Sequence, residues 1–373
     1  MKKKLNIGFD AKRLFHNKSG LGNYSRWLAK SLAERHKQNN YHLYTPGLSN
    51  NLNDFDTKNF IIHQPTGMMK RFWRSKTIKK DLIKDNIDIY HGLSNEIPYG
   101  IEKTQIKSVV TIHDLIFKTH PQFYMPFDVL IYDQKFKSSC LRADKIVAIS
   151  NYTKSKIVEF YKIKPEKIDV IYLDCNEIFY KKTTNKEVES IKEKFAINSD
   201  FFLNVGSIGG RKNQFRILDA FAQISQKTEK NLVFVANNNK NSELLFDNIK
   251  KYKLENRCKI LSGLNDENLH KLYHASYATV YPSLIEGFGI PIIESYRSRK
   301  PVITSKGSSL EEIAGSAALL CNPANTDSIS ENFLKIINNE LYNNLIQKID
   351  NELHRFSPEN TTDKYMNLYN SII

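Results

Sequence analysis

Short apolar runs alternate with amphipathic helical stretches along the whole chain, and that alternation leaves few folds open. Strands and helices taken in turn predict parallel sheets covered by helices, an α/β class. In the first half the strand-like runs are Leu5–Asp10, His42–Thr45, Phe60–His63, Asp88–His91, Ser108–His113, Lys145–Ser150 and Lys167–Leu173. In the second half they are Phe201–Val205, Asn231–Ala236, Lys259–Ser262, Ala278–Tyr281 and Pro301–Ser305. Between them Leu21, Tyr24, Trp27, Leu28, Ser31 and Leu32 recur at helical spacing, and Asn213–Ser225 and Glu267–His274 read as helices. A chain of 373 residues exceeds one ordinary core but suits two α/β domains. The polar, lysine-rich stretch Asp174–Lys186 breaks the rhythm. The expected division is a domain over 1–173, a linker over 174–186 and a domain over 187–356. Segment 357–373 opens with the helix-start chemistry of Ser357-Pro358 and continues into a short amphipathic helix over Lys364–Tyr369.

The most informative stretch is Pro282-Ser283-Leu284-Ile285-Glu286-Gly287-Phe288-Gly289-Ile290-Pro291-Ile292-Ile293-Glu294. It leaves a buried strand and enters a helix. Its glycines allow a sharp turn and close approach to a ligand, and Pro291 suits a first helical turn. Two carboxylates eight positions apart then lie at a strand end and inside the next helix. Open α/β sheets bind ligands at that edge. The plainer reading is a strand–helix turn with two solvated glutamates. A second such turn, Val205-Gly206-Ser207-Ile208-Gly209-Gly210-Arg211-Lys212-Asn213, combines free backbone N–H groups at a helix start with two fixed cations. That combination suits a diphosphate, although most glycine-rich turns are only loops.

The first of these stretches resembles the E-x7-E signature of retaining glycosyltransferases of family 4. The resemblance implies the GT-B fold: two Rossmann-like parallel-sheet domains facing a central cleft, with helix 357–373 crossing back onto the first. It implies that Glu286 and the backbone of Gly287, Phe288, Gly289 and Ile290 face a donor sugar, and that Glu294 accepts hydrogen bonds from ribose. The second stretch matches the family's G-x-x-x-x-R-K-N at Gly206, Arg211, Lys212 and Asn213, which gives Lys212 the diphosphate. Many members carry an arginine where this chain has Ser207, so Arg211 is the candidate for the second charge. Asp10 and the turn Gly20-Leu21-Gly22 resemble the opening loop under the donor phosphates and beside the acceptor, and a flexible loop is the plainer reading. Thr111-Ile112-His113-Asp114-Leu115-Ile116 resembles the mannosyltransferase-like branch. There His113 faces the reacting sugar at its 6-hydroxyl, with Asp114 nearby. Gly263 and Leu264 stand where the family receives the nucleotide base, while Ser150 is explained as a helix N-cap.

Composition narrows the partners. The formal charge is +15, from 55 Lys and Arg against 40 Asp and Glu, which favours anionic partners. Without an RNA-binding aromatic signature or a helix-turn-helix pattern, nucleic acid is the weakest of them. No apolar run is long enough to span a membrane, and Met1–Asp10 reads as a first strand rather than a signal peptide. Cys140, Cys175, Cys258 and Cys321 are widely separated, as reduced thiols of a cytosolic protein would be. Segment 68–80 is basic, and Met69, Phe72 and Trp73 share a helical face. It suits docking on an anionic membrane inner surface or plain packing on its domain. The resulting expectation is a metal-independent, retaining hexosyltransferase with no cofactor. It would move a mannose-like sugar from a nucleotide-diphosphate sugar to a glycan or lipid-linked acceptor in surface polysaccharide synthesis. A nucleotide-sugar epimerase of the same fold and a non-catalytic sugar-binding protein are the alternatives.

Overall fold

A computed structural model describes residues 4–17, 20–49, 55–66 and 72–373. The chain divides into two compact units, 1–173 with 357–373, and 174–356. The first holds seven strands: β1 (Asn6–Asp10), β2 (Asn40–Tyr44), β3 (Ile61–His63), β4 (Ile89–Gly92), β5 (Lys107–Ile112), β6 (Lys145–Ala148) and β7 (Ile168–Val170). The second holds six: β8 (Phe201–Val205), β9 (Asn231–Val235), β10 (Cys258–Leu261), β11 (Ala278–Tyr281), β12 (Val302–Ser305) and β13 (Ala318–Cys321). Every pairing is parallel, in the orders β3-β2-β1-β4-β5-β6-β7 and β10-β9-β8-β11-β12-β13. In both sheets the order reverses beside the first strand, between β1 and β4 and between β8 and β11. Loops that leave those strands diverge to opposite sides and open a crevice at the strands' carboxyl ends.

The twelve expected strands form, and a thirteenth, β13, closes the edge of the second sheet. Ala318-Leu319-Leu320-Cys321 has no β-branched residue, so local propensity favours helix over strand. Pairing with β12, from Val302↔Ala318 to Ser305↔Cys321, decides otherwise. The stretch after β1 is not open loop either, since Lys12–His16 forms a short helix before the long one at Gly20–Arg35. Asp174–Lys186, read as a linker, is packed. Phe179 is buried, and Asp174 accepts from the Tyr180 hydroxyl and lies 3.8 Å from Arg297 Nη2. Arg297 Nη2 also donates to Phe356 O at 2.7 Å, so one guanidinium holds both ends of the second unit. All four cysteines are buried and free.

The last helix, Pro358–Ile372, is longer than its pattern suggested and is anchored in the first unit by buried hydroxyls. His91 lies between Tyr369 OH at 2.6 Å and Thr111 Oγ1 at 2.8 Å. Thr111 Oγ1 in turn meets Tyr24 OH at 2.9 Å, and Tyr24 OH meets Tyr365 OH at 2.7 Å. Burial and the neighbouring His113 push His91 down to about 3, so its ring is neutral and each nitrogen needs a partner. Tyr369→Phe keeps the ring but strands one nitrogen of His91 in an apolar interior. It is expected to cost about 1–3 kcal/mol of unfolding free energy, measured by denaturant titration.

Candidate active site

The loops after β8 and β11, which flank the switch point of the second sheet, carry the centre of the site. The β8 loop turns at Gly206 (φ +146°), makes a short 3-10 turn over Gly210–Lys212, and enters the helix Gln214–Ile224 through Asn213 in the left-handed region (φ +69°). Asn213 Nδ2 donates to Pro282 O at 2.9 Å and Pro323 O at 2.7 Å, which clamps the two loops together. The Leu284 N–H donates to Arg211 O at 2.8 Å and completes the join. The β11 loop is held from behind: Ser309 Oγ donates to Glu286 O at 2.7 Å and to Phe288 O at 3.1 Å. It ends at Gly289 (φ +135°), where a Cβ would stand 2.8 Å from Leu310 Cδ2, so glycine is required there. Ile290–Arg297 then forms the helix that presents Glu294.

These constraints bring Glu286, Arg211 and Lys212 together. Glu286 Oε2 lies 2.5 Å from Arg211 Nη1, and Oε1 lies 2.6 Å from Lys212 Nζ. Tyr281, the last residue of β11, accepts from Lys212 Nζ at 2.5 Å and donates to Glu286 Oε1 at 3.2 Å. Glu286 is buried, and burial alone would push its carboxyl up. Lys212 and then Arg211 outweigh that and hold it at about 2. Burial likewise works against the Lys212 ammonium, and Glu286 more than restores it. Two cations share one carboxylate, so the cluster keeps a formal charge of +1 and a pull on anions.

Among the described residues Glu294 has no such pair of cations on its carboxylate oxygens. It is half-buried, and its Oε2 accepts from Tyr273 OH at 2.7 Å. Burial raises it to about 7, against partial opposition from the Tyr273 hydrogen bond and Lys212. A carboxyl with that value exchanges its proton near neutrality and can take up hydrogen bonds from a diol once ionised. Gly263 adopts a left-handed conformation (φ +70°) with open space where a Cβ would be. Leu264 follows it, and Asn265 caps the next helix by accepting from Asn268 N. Ser207 is exposed, and its carbonyl accepts from Gln214 Nε2 at 3.2 Å.

In the first unit His113 directly follows β5, buried, with Nε2 donating to Leu93 O at 2.8 Å and its ring edge-on to Tyr24. Burial lowers it to about 4, so it is a neutral imidazole whose Nδ1 can only accept. Asp114 Oδ1 caps the next turn by accepting from Ile116 N at 3.0 Å. Gly20 has open space around it, whereas a Cβ at Gly22 would stand 1.8 Å from Asn17 O. Close packing of that loop against the long helix accounts for Gly22. Asp10 is buried and doubly bonded by Arg74, Nε to Oδ2 at 2.8 Å and Nη2 to Oδ2 at 2.6 Å, while Arg74 Nη1 reaches Glu96 at 3.4 Å.

These contacts favour plain packing over membrane docking as the reading of segment 68–80. Arg74 serves Asp10 rather than lipid, and Trp73 is core, with Nε1 donating to Asp81 at 2.5 Å. Phe72 remains half exposed, while Met68, Met69, Lys70 and Arg71 lie outside the described residues. Sequence reasoning missed Tyr281, Tyr273, Ser309 and Arg74. Tyr281 carried a readable signal, a hydroxyl at the end of a strand that opens onto a glycine turn. The others depend on which strand ends become neighbours.

The sequence matches the profile for glycosyl transferases group 1 over residues 185–352 and that for Glycosyltransferase Family 4 over 18–173. It is 25% identical over 284 residues to the O-antigen chain mannosyltransferase B of Escherichia coli, covering 75% of this chain and 74% of that one. A glycosyltransferase from Rickettsia africae superposes with a TM-score of 0.80 at 18% identity, over 99% of both chains. The Anabaena protein HepE, solved with UDP-glucose, gives 0.77 at 15% identity, over 98% of this chain and all of that one. The two profiles fall one on each unit, in the order and with the motifs that the residues carry, and the chain belongs to the glycosyltransferases of family 4, with the GT-B fold.

Proposed function

We propose that this glycosyltransferase moves a hexose, mannose-like, from a nucleoside-diphosphate sugar to a glycan or lipid-linked acceptor of a surface polysaccharide. The observation that carries the reading is the cluster of half-buried Arg211 and Lys212 on the buried Glu286 at the switch point of the second sheet. A donor's diphosphate is the natural competitor of Glu286 for the two cations. Once it takes them, the Glu286 carboxylate is released toward the sugar hydroxyls, and the cations neutralise charge developing on the leaving phosphate. Two fixed cations can do this without a metal or other cofactor. Anomeric retention, which the family resemblance implies, can proceed by front-face attack and then needs no side-chain nucleophile. In that reaction the acceptor hydroxyl attacks the face that the phosphate leaves, and a phosphate oxygen takes its proton. Neutral His113, which presents Nδ1 as an acceptor, would orient a sugar hydroxyl. The O-antigen mannosyltransferase relative and the UDP-glucose complex of HepE support the sugar and donor classes.

Thermal stabilisation by a panel of nucleoside-diphosphate sugars tests the donor, since a ligand of the native state raises Tm. Turnover that needs an added glycan acceptor separates transfer from epimerisation. A panel without any stabilising donor would overturn the reading. Lys212→Ala is expected to lower kcat by about two orders of magnitude, the effect of removing ~3 kcal/mol of charge stabilisation. Glu286→Gln should bind inorganic pyrophosphate more tightly than the wild type, roughly tenfold or more, while losing turnover, because the cations lose their internal counter-ion. Equal pyrophosphate affinity would place the diphosphate elsewhere. Glu294 must ionise to accept two ribose hydroxyls, so nucleoside diphosphate affinity should climb as pH rises through about 7. Glu294→Gln should flatten that climb, and an unchanged profile in the variant would assign it to another group.

A further inference from the structure

The Lys212 ammonium is held by two groups of different kinds. Among the described residues it bonds Glu286 Oε1 at 2.6 Å and Tyr281 OH at 2.5 Å, and it stands 4.9 Å from the centre of the Tyr281 ring. The stem behind it is a flexible aliphatic chain that crosses Gly206, where a Cβ would stand 3.7 Å from both Cδ and Cε. On the function proposed above, Glu286 is the partner that an incoming diphosphate displaces. Tyr281 is the one that stays.

The surroundings of Tyr281 fix it in place. It ends β11 in register with Thr304 of β12, whose Oγ1 donates to the Tyr281 carbonyl at 2.9 Å. It is 2% exposed, so packing holds the ring. Burial and then Glu286 push its phenol up, so the hydroxyl keeps its proton. Its lone pair therefore serves Lys212, and its O–H serves Glu286 Oε1 at 3.2 Å. A phenylalanine would fill the same space at this strand end. Packing alone does not call for the hydroxyl, and both of its bonds run to the charged cluster.

We propose that Tyr281 is a positioning residue: when an anion draws Glu286 off Lys212, the Tyr281 hydroxyl and ring keep the ammonium where the leaving phosphate develops its charge. The inference deepens the function proposed above and rests on it for the identity of the anion. The physical reason is preorganisation. A free lysine side chain has to be immobilised on binding, and a displaced cation stabilises the transition state less. In the ligand-free site Glu286 masks the loss of the hydroxyl, because it still holds the ammonium. Without Glu286, Tyr281 holds it alone.

Tyr281→Phe keeps the ring and removes the hydroxyl. It is expected to lower kcat by about ten- to a hundredfold, with nucleoside diphosphate affinity and melting temperature close to the wild type. In the Lys212→Ala background the same change should cost nothing further, because a residue that acts through Lys212 has nothing left to position. Inorganic pyrophosphate binding, measured by calorimetry, gives a readout free of turnover. Tyr281→Phe should leave it nearly unchanged in the wild type but weaken it roughly three- to tenfold in the Glu286→Gln background. Native turnover in Tyr281→Phe, an additive loss on top of Lys212→Ala, or an equal effect on pyrophosphate in both backgrounds overturns the positioning role. So does a parallel fall in melting temperature, nucleotide affinity and kcat, which would make the hydroxyl a structural tie between the loops. Either result leaves the enzymatic reading standing if donors stabilise the wild type. The expected pyrophosphate pattern in a protein that no nucleoside-diphosphate sugar stabilises would keep the positioning role and overturn the enzymatic reading instead.

Discussion

One carboxylate held between two cations sets the geometry of the second unit's ligand edge. Glu286 in a buried position is unfavourable unless both of its oxygens find charge, and Arg211 and Lys212 supply it from a different strand's loop. Each loop therefore needs the other in place. The Asn213 clamp and the Leu284-to-Arg211 backbone bond hold them in that register before any ligand arrives. Removing one partner would leave an uncompensated buried charge, whereas a phosphate could replace the carboxylate with little rearrangement. That exchange is the basis of the diphosphate role proposed for the cluster.

The first unit solves a similar problem at its own switch point. Asp10 ends β1, Glu96 follows β4, and Arg74 joins them from a third segment. Burial disfavours the Arg74 charge, and Asp10 more than restores it. Here the pairing fixes a loop rather than offering a spare cation, since Arg74 and Lys135 are matched by two carboxylates, Asp10 and Glu96. The two crevices are thus opposite in character: a net positive cluster in the second unit and a satisfied ion network with a neutral His113 in the first. On the function proposed above, an anionic donor would go with the former and an uncharged sugar hydroxyl with the latter.

The C-terminal helix depends on a different constraint. Its register on the first unit is set by buried hydroxyls of Tyr365 and Tyr369, which must meet Tyr24 and His91. Apolar packing alone tolerates small slips, but hydroxyls and a neutral imidazole in a dry interior do not. His91 and Thr111 therefore contribute as much to anchoring the last helix as to the sheet they belong to.

The alternation of apolar runs and helices determined the class, two parallel sheets, because strands buried on both faces need long apolar runs wherever they lie. The site was legible where chemistry is local: Glu286, Glu294, Gly289 and the Arg211-Lys212-Asn213 string each sit on a turn whose glycines and charges announce it. Only tertiary structure could reveal β13, since Ala-Leu-Leu-Cys becomes a strand solely by pairing with β12. The same holds for Trp73 and Arg74. Their helical pattern suited a membrane face, but a strand end nearby carried a buried carboxylate that needed a cation, and satisfying it decided which way the segment turned. Charge pairs across strand ends are set by sheet order, which the spacing of residues along the chain does not encode.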